Sequence, residues 1–284
     1  MVDMRSRELD PSASPLDYYG YELRRAREAA GLTLAQLGTI VFCTGSLIGQ
    51  IETAARVPQR DLSERLDMAL ETGGLFSRLV GLVLRSQLPS WFQPYAEMEA
   101  RAAYISTYQS QLVDGLLQTE AYARAVLGVR DKTGLDARVA ARLERQRILA
   151  QEHPPVAWVI LSEAVLHQEI GGREVMREQL RHLLALQQQP WIKVQVLPFE
   201  VGAHTALMGS FAVLRFEKEP DVVYTEDFIQ GHMTANPQAL KESSLRYDQL
   251  QAAALSAEGS AALIARVMEG RYGNGPRSDR RELA

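Results

Sequence analysis

The chain is poor in several things, and each scarcity removes a class of protein. One cysteine in 284 residues, Cys43, leaves no disulfide framework and no multi-cysteine metal site, which fits a reducing compartment. No stretch nears the roughly 18 consecutive apolar residues of a membrane span. The first residues, MVDMRSRELDPSASP, have no apolar run after their charges, so no signal peptide is expected. Excess positive charge is missing too: 31 Lys plus Arg against 35 Asp plus Glu give a net charge of -4. Bulk attraction to nucleic acid is thereby excluded, and any DNA contact must be local. The GxGxxG, P-loop, GxSxG and HExxH patterns are missing, so no cofactor is expected. His153, His167, His182 and His232 have no partner at ligand spacing, and no metal is expected either. What remains is a cytoplasmic globular chain, 46% hydrophobic, long enough for two domains.

Residues 1–16 mix charge with Ser and Pro and read as a disordered arm. Helical spacing starts at once after it. Leu23, Ala26 and Ala30 share a face, with Gly31 as the C-terminal cap. Thr33 is a natural N-cap for LAQLGTIV, with Gln36 as its capping-box partner, and Thr44 caps GSLIGQIETAA. Pro58 ends that run, and Asp61 to Leu70 predicts a fourth helix before Gly73 and Gly74. Four short helices with turns of two to four residues predict a compact bundle over 17–72, in which the second and third have helix-turn-helix spacing. LFSRLVGLVLRSQ predicts a helical linker over 73–87.

Residues 88–270 read as a mixed α/β domain. PVAWVIL and WIKVQVLP are strands flanking the amphipathic helix REVMREQLRHLLALQQ, which predicts a βαβ crossover. SFAVLRF and DVVYTEDF are two more strands, and helices close the domain from about Pro237 to Met268. Residues 271–284 read as a disordered tail. The fold class is therefore α+β: an all-α bundle followed by a mixed α/β domain.

The stretch LRRAREAAGLTLAQLGTIVFCTGSLIGQIETAARVP resembles the DNA-binding domain of Xre and Cro/lambda-repressor type regulators. Its GLT start, Leu37, the Ile51-Glu52 pair and Arg56-Val57-Pro58 fall in register. The region from WFQPY to LSAEGSAALIARV resembles the C-terminal domain of actinomycete WhiJ-like regulators. The resemblance implies a lambda-repressor-like bundle, a double-stranded DNA operator, a homodimer, and a small acidic partner protein from a neighbouring gene. It puts Gly45, Ser46, Leu47 and Gln50 at base-facing positions. Gln50 suits adenine, and Leu47 suits a thymine methyl. The hydroxyls of Thr33 and Thr44 are expected at phosphates, and Arg24, Arg25, Arg27, Arg56 and Arg60 are expected to cluster near DNA.

The departures open a second reading. Relatives carry Gln or Arg at Leu34, Gly45 and Gly49, and Gly at Phe42 and Ala54. Residues 1–86 hold ten Arg, no Lys and eleven Asp plus Glu. A degenerate motif that no longer reads DNA, on an enzyme or small-molecule-binding protein, is the alternative. Its ligand pocket would use Trp91, Tyr95, Tyr104, Tyr108, Trp158, Phe199 and His204, which read equally as packing. Glu200, His204 and Glu226 are its acid-base candidates, beside a structural role for the histidine. Arg138, Arg142 and Arg145 form a helical stripe, either a partner or anion patch or a solvated face.

Overall fold

The computed structural model describes residues 9–129, 131–227 and 229–273, and within them two compact units. The first runs to Gln93 and adds Asp136–Glu144; the second takes Pro94–Leu135 and the chain from Arg145 onward. Part of the predicted arm and tail thus lies outside the described residues.

Besides its share of a later helix, the first unit holds α1 (Pro15–Ala29), α2 (Leu34–Ile40), α3 (Gly45–Glu52), α4 (Arg60–Leu70) and α5 (Leu75–Ser86). Ser14 caps α1, so Pro15 and Leu16 are helical rather than part of an arm, and Leu16 packs on the core. Thr33 and Gln36 form the capping box at α2, and Thr44 accepts from Leu47 N at α3. Each cap satisfies a backbone donor that the helix start leaves open.

The expected linker is a correction. Phe76, Leu79, Val80, Val83 and Leu84 on α5 are buried in one cluster with Tyr19, Leu23, Leu37, Ile48, Ile51 and Leu66. A helix with that much apolar surface covers the bundle instead of joining domains. Its N-cap, Gly74, has no side chain to offer. Asp67 on α4 substitutes: its carboxylate accepts from Phe76 N at 2.9 Å, Ser77 N at 2.7 Å and Ser77 Oγ at 2.6 Å.

The second unit holds α6 (Gln93–Glu99), α7 (Glu120–Leu127), α8 (Leu135–Gln146, of which Asp136–Glu144 belong to the first unit), α9 (Glu163–His167), α10 (Arg173–Leu186), α11 (Pro237–Ala253) and α12 (Ala257–Tyr272). Arg271 and Tyr272 are therefore helical, not tail. Six strands form one mixed sheet: β1 (Tyr104–Gln109), β2 (Val156–Ser162), β3 (Ile192–Leu197), β4 (Phe211–Arg215), β5 (Val222–Glu226) and β6 (Gly231–Thr234). Their order is β3-β2-β1-β4-β5-β6. The pairs β1–β2 and β2–β3 are parallel, while β4, β5 and β6 are antiparallel to their neighbours. Alternation along the strands sends Tyr108, Ile160, Val213 and Val223 toward Tyr247 and Leu250 of α11. No single described helix is long and apolar enough to cross a membrane.

Burial pushes the Asp67 carboxyl up, but its hydrogen bonds from Ser77, Thr72 and Phe76 outweigh that and hold it below its ordinary value. Its contribution is therefore present above the unfolded-state value and lost as pH falls through the depressed one. Asp67→Asn is expected to cost about 1–3 kcal/mol. A urea midpoint series between about pH 5 and pH 2 checks this, with the variant falling less steeply than the wild type.

Candidate nucleic-acid interface

The chain bends by 112° between α2 and α3, within the range of a helix-turn-helix. The bend rests on close approach. A methyl carbon on Gly38 would lie 2.8 Å from Gly45 N, and one on Gly45 would lie 2.9 Å from Ala35 Cα. Gly45, expected to face bases, instead faces α2. Leu47 is partly buried, with one side packed against the bundle core. Thr33, Thr44, Ser46, Gln50 and Arg56 are exposed. Ser46 and Gln50, four residues apart on α3, share a face.

Phe42 and Ala54, the two positions where the resembled regulators have glycine, sit at φ 56° and 54°. A side chain in that left-handed region costs roughly 1–2 kcal/mol. The turns before and after α3 are therefore kept although the residue best suited to each is gone.

Arginines expected near DNA are largely engaged elsewhere. Arg27 reaches Glu52 through Nε at 2.6 Å and Nη2 at 2.9 Å, and gives Nη1 to Leu32 O at 2.8 Å. Its side chain is 11% exposed and that of Glu52 6%. The fork clamps α1 to α3. Arg60 is bidentate to Glu144, Arg24 pairs with Glu28, and Arg25 pairs with Glu22.

In the second unit the ligand-pocket candidates converge only in part: Tyr108, Trp158 and His204 come together and the others do not. AYISTYQ is the strand β1, which sequence periodicity missed because its polar and apolar residues alternate imperfectly. Tyr104 and Tyr108 are spread roughly 13 Å along it. Tyr104 is 54% exposed and Tyr108 1%. Tyr108 meets His204 edge-on, ring centroids 5.6 Å apart, and Trp158 packs in the same cluster under α11. Phe199 is exposed beside His167, with centroids 5.8 Å apart. Tyr95 of α6 stacks on Tyr224 at 4.0 Å, and Trp91 belongs to the first unit.

The expected acid-base group is not assembled. Glu200 is exposed in a 3-10 turn (Phe199–Val201), and Gly202, at φ 62°, turns the chain before His204. Glu226 accepts from Tyr224 Oη. Among the described residues no hydrogen bond joins either carboxylate to His204, whose Nδ1 accepts from Ala206 N. Burial holds the His204 imidazole below its ordinary value. Asp227 pairs instead with His232 at 2.9 Å. Backbone donation within its turn, chiefly at Gln230, and the His232 contact lower its pKa to about 2. An open cleft of about 620 Å³ runs along α10, lined by Arg173, Arg177, Arg181, Glu174, Glu178 and Tyr272. It contains none of the aromatic candidates. Among the described residues no cluster of His, Cys, Asp and Glu suits a metal ion.

The arginine stripe is also broken. Arg145 is 9% exposed and bidentate to Glu99, itself 1% exposed, with Tyr95 beside it at 5.9 Å. Arg145 is thereby withdrawn from the solvent-facing stripe expected with Arg138 and Arg142.

A helix-turn-helix domain model matches residues 19–75, and the model described as a domain of unknown function, DUF5753, matches residues 92–266. The second match covers more than half of the chain. The chain belongs to the DUF5753 family. No curated protein and no solved structure matches it.

The DUF5753 domain buries a polar network that hydrophobic periodicity could not flag. Tyr95, Glu99, Arg145 and Tyr224 come from three distant stretches of chain. Burial, and then the Glu99 charge, push the Tyr95 hydroxyl far up, so it stays protonated. Removing one partner of a buried ion pair typically costs 3–5 kcal/mol. Glu99→Gln is expected to lower the unfolding free energy of the DUF5753 domain by about 3 kcal/mol in urea titration.

The glycines of α3 give opposite expectations. Gly45→Ala should destabilise the bundle by about 1–3 kcal/mol, because Ala35 backbone is in the way. Gly49→Ala meets only Leu34 Cδ1 at 3.4 Å and should stabilise by about 0.5–1 kcal/mol. Thermal melts of the two variants check the contrast.

Proposed function

We propose that the protein is a DNA-binding transcriptional regulator of the WhiJ-like type, with its helix-turn-helix reading an operator as a homodimer. The observation that carries this reading is the face of α3 that holds Ser46 and Gln50 in the open beyond a 112° turn. Such a helix enters the major groove with its first residues against base edges. Gln50 makes two hydrogen bonds to an adenine, and Ser46 serves either base type. Thr33 and Thr44 accept from their own helix starts, which leaves each hydroxyl proton for a phosphate oxygen. Arg56 adds a cation beyond the end of α3.

The internal pairing of Arg27 and Arg60 leaves few cations for phosphates, so one bundle holds DNA weakly. Two copies spaced by one helical turn, about 34 Å, combine their contacts. In this reading the DUF5753 domain is the input. A small acidic partner protein or a small-molecule ligand bound there controls dimerisation or operator release. The protein acts in the cytoplasm.

A gel-shift on the DNA upstream of its own gene is the test. A retarded band is expected at low salt with micromolar protein, and its absence overturns the reading. Gln50→Ala should weaken the band by about 1–3 kcal/mol and relax one base position in each half-site.

A further inference from the structure

We propose that Leu34, the first residue of α2, reads the C5-methyl group of a thymine in each operator half-site. The proposal rests on the DNA-binding reading above and adds to it a residue outside the recognition helix. Gly45 and Gly49 lie four residues apart on one face of α3, and over those two turns that face has no side chain of its own. At Gly45 the space is filled by α2 backbone, with Ala35 Cα at 2.9 Å and the Leu34 carbonyl carbon at 3.0 Å from a built methyl. At Gly49 the one neighbour within 4 Å is Leu34 Cδ1, at 3.4 Å. An isobutyl group from α2 thus lies over the bare turn of α3, beside the stripe that holds Ser46 and Gln50.

That group is also open to solvent. Leu34 is 37% exposed, and the exposed Ser46 and Gln50 occupy the adjoining stripe of α3. Leu47, an apolar residue between those two in sequence, is partly buried against the core and less open than Leu34. An isobutyl side chain neither donates nor accepts a hydrogen bond, so it cannot distinguish the polar edges of guanine, adenine or cytosine. The apolar group that unmodified DNA presents in the major groove is the thymine methyl. Leu34 and Gln50 together therefore define one apolar and one polar position in each half-site.

The experiment begins with duplexes selected from a random pool by the full-length protein. Each thymine of the selected site is then replaced by dU, which keeps both Watson-Crick hydrogen bonds and removes only the methyl. Wild type is expected to lose about fourfold in affinity at one thymine per half-site, the loss of one buried methyl group. In Leu34→Ala that position should become indifferent to dU. Leu34→Met, which keeps an apolar reach, and Gln50→Ala should both remain sensitive. Melting curves confirm that Leu34→Ala is folded; if it is not, Leu34→Gln, a residue the resembled regulators carry there, takes its place and should likewise be indifferent to dU. The assignment is overturned if wild type tolerates dU at every thymine, or if Leu34→Ala keeps the sensitivity. Failure to select any duplex overturns the DNA-binding reading and this assignment with it; dU indifference on a bound duplex overturns this assignment alone.

Discussion

Two glycines at the α2–α3 junction hold space that neither helix can yield. Gly38 faces Gly45 N, and Gly45 faces Ala35, each at a separation that a side-chain carbon could not share. Because the backbones touch, the rotation of α3 about its axis is set. Ile48 and Ile51 then fall inside, Leu47 leans on the core, and Ser46 and Gln50 fall outside. Every statement about what this helix can read follows from that rotation. It also accounts for the tolerance of Phe42 in left-handed backbone, since the turn between α2 and α3 has to bring the two glycines together whatever residue occupies it.

Buried ion pairs appear in both units. Arg27 with Glu52, and Arg145 with Glu99, each place a guanidinium fork on a nearly buried carboxylate. Such pairs are costly to bury and costlier still to break, so they favour one arrangement of the elements that carry them. In the first unit the pairing has a functional consequence. An arginine holding α1 to α3 is not available to a phosphate, so the balance of charge understates how little cation the bundle has for DNA. Weak single-copy binding with reliance on a dimer follows from this in the proposed function.

Some of the molecule was legible in advance for local reasons. Thr33 with Gln36, Thr44 and Pro58 act through neighbours a few residues away, so the helix starts and the helix-turn-helix spacing are visible in the string. The strands β2, β3, β4 and β5 were visible as apolar runs bounded by turns. The strand β1 was not, since Tyr104, Ser106, Thr107 and Gln109 look like an aromatic polar loop until two neighbouring strands claim their backbone hydrogen bonds. The helix α5 looked like a linker because its apolar surface has no partner in the sequence alone.

By itself, the sequence determined the class of the chain: a capped helical bundle with helix-turn-helix spacing, followed by a mixed α/β domain, without the cysteines or motifs of a disulfide, metal or nucleotide protein. These properties come from interactions between residues close along the chain. Tertiary structure decided which side chains face outward. It turned Gly45 toward α2, left Leu34 over Gly49, buried Arg145, and kept Glu200 and Glu226 from bonding to His204. Each of those outcomes depends on atoms brought together across long separations by packing, and no local spacing rule encodes them.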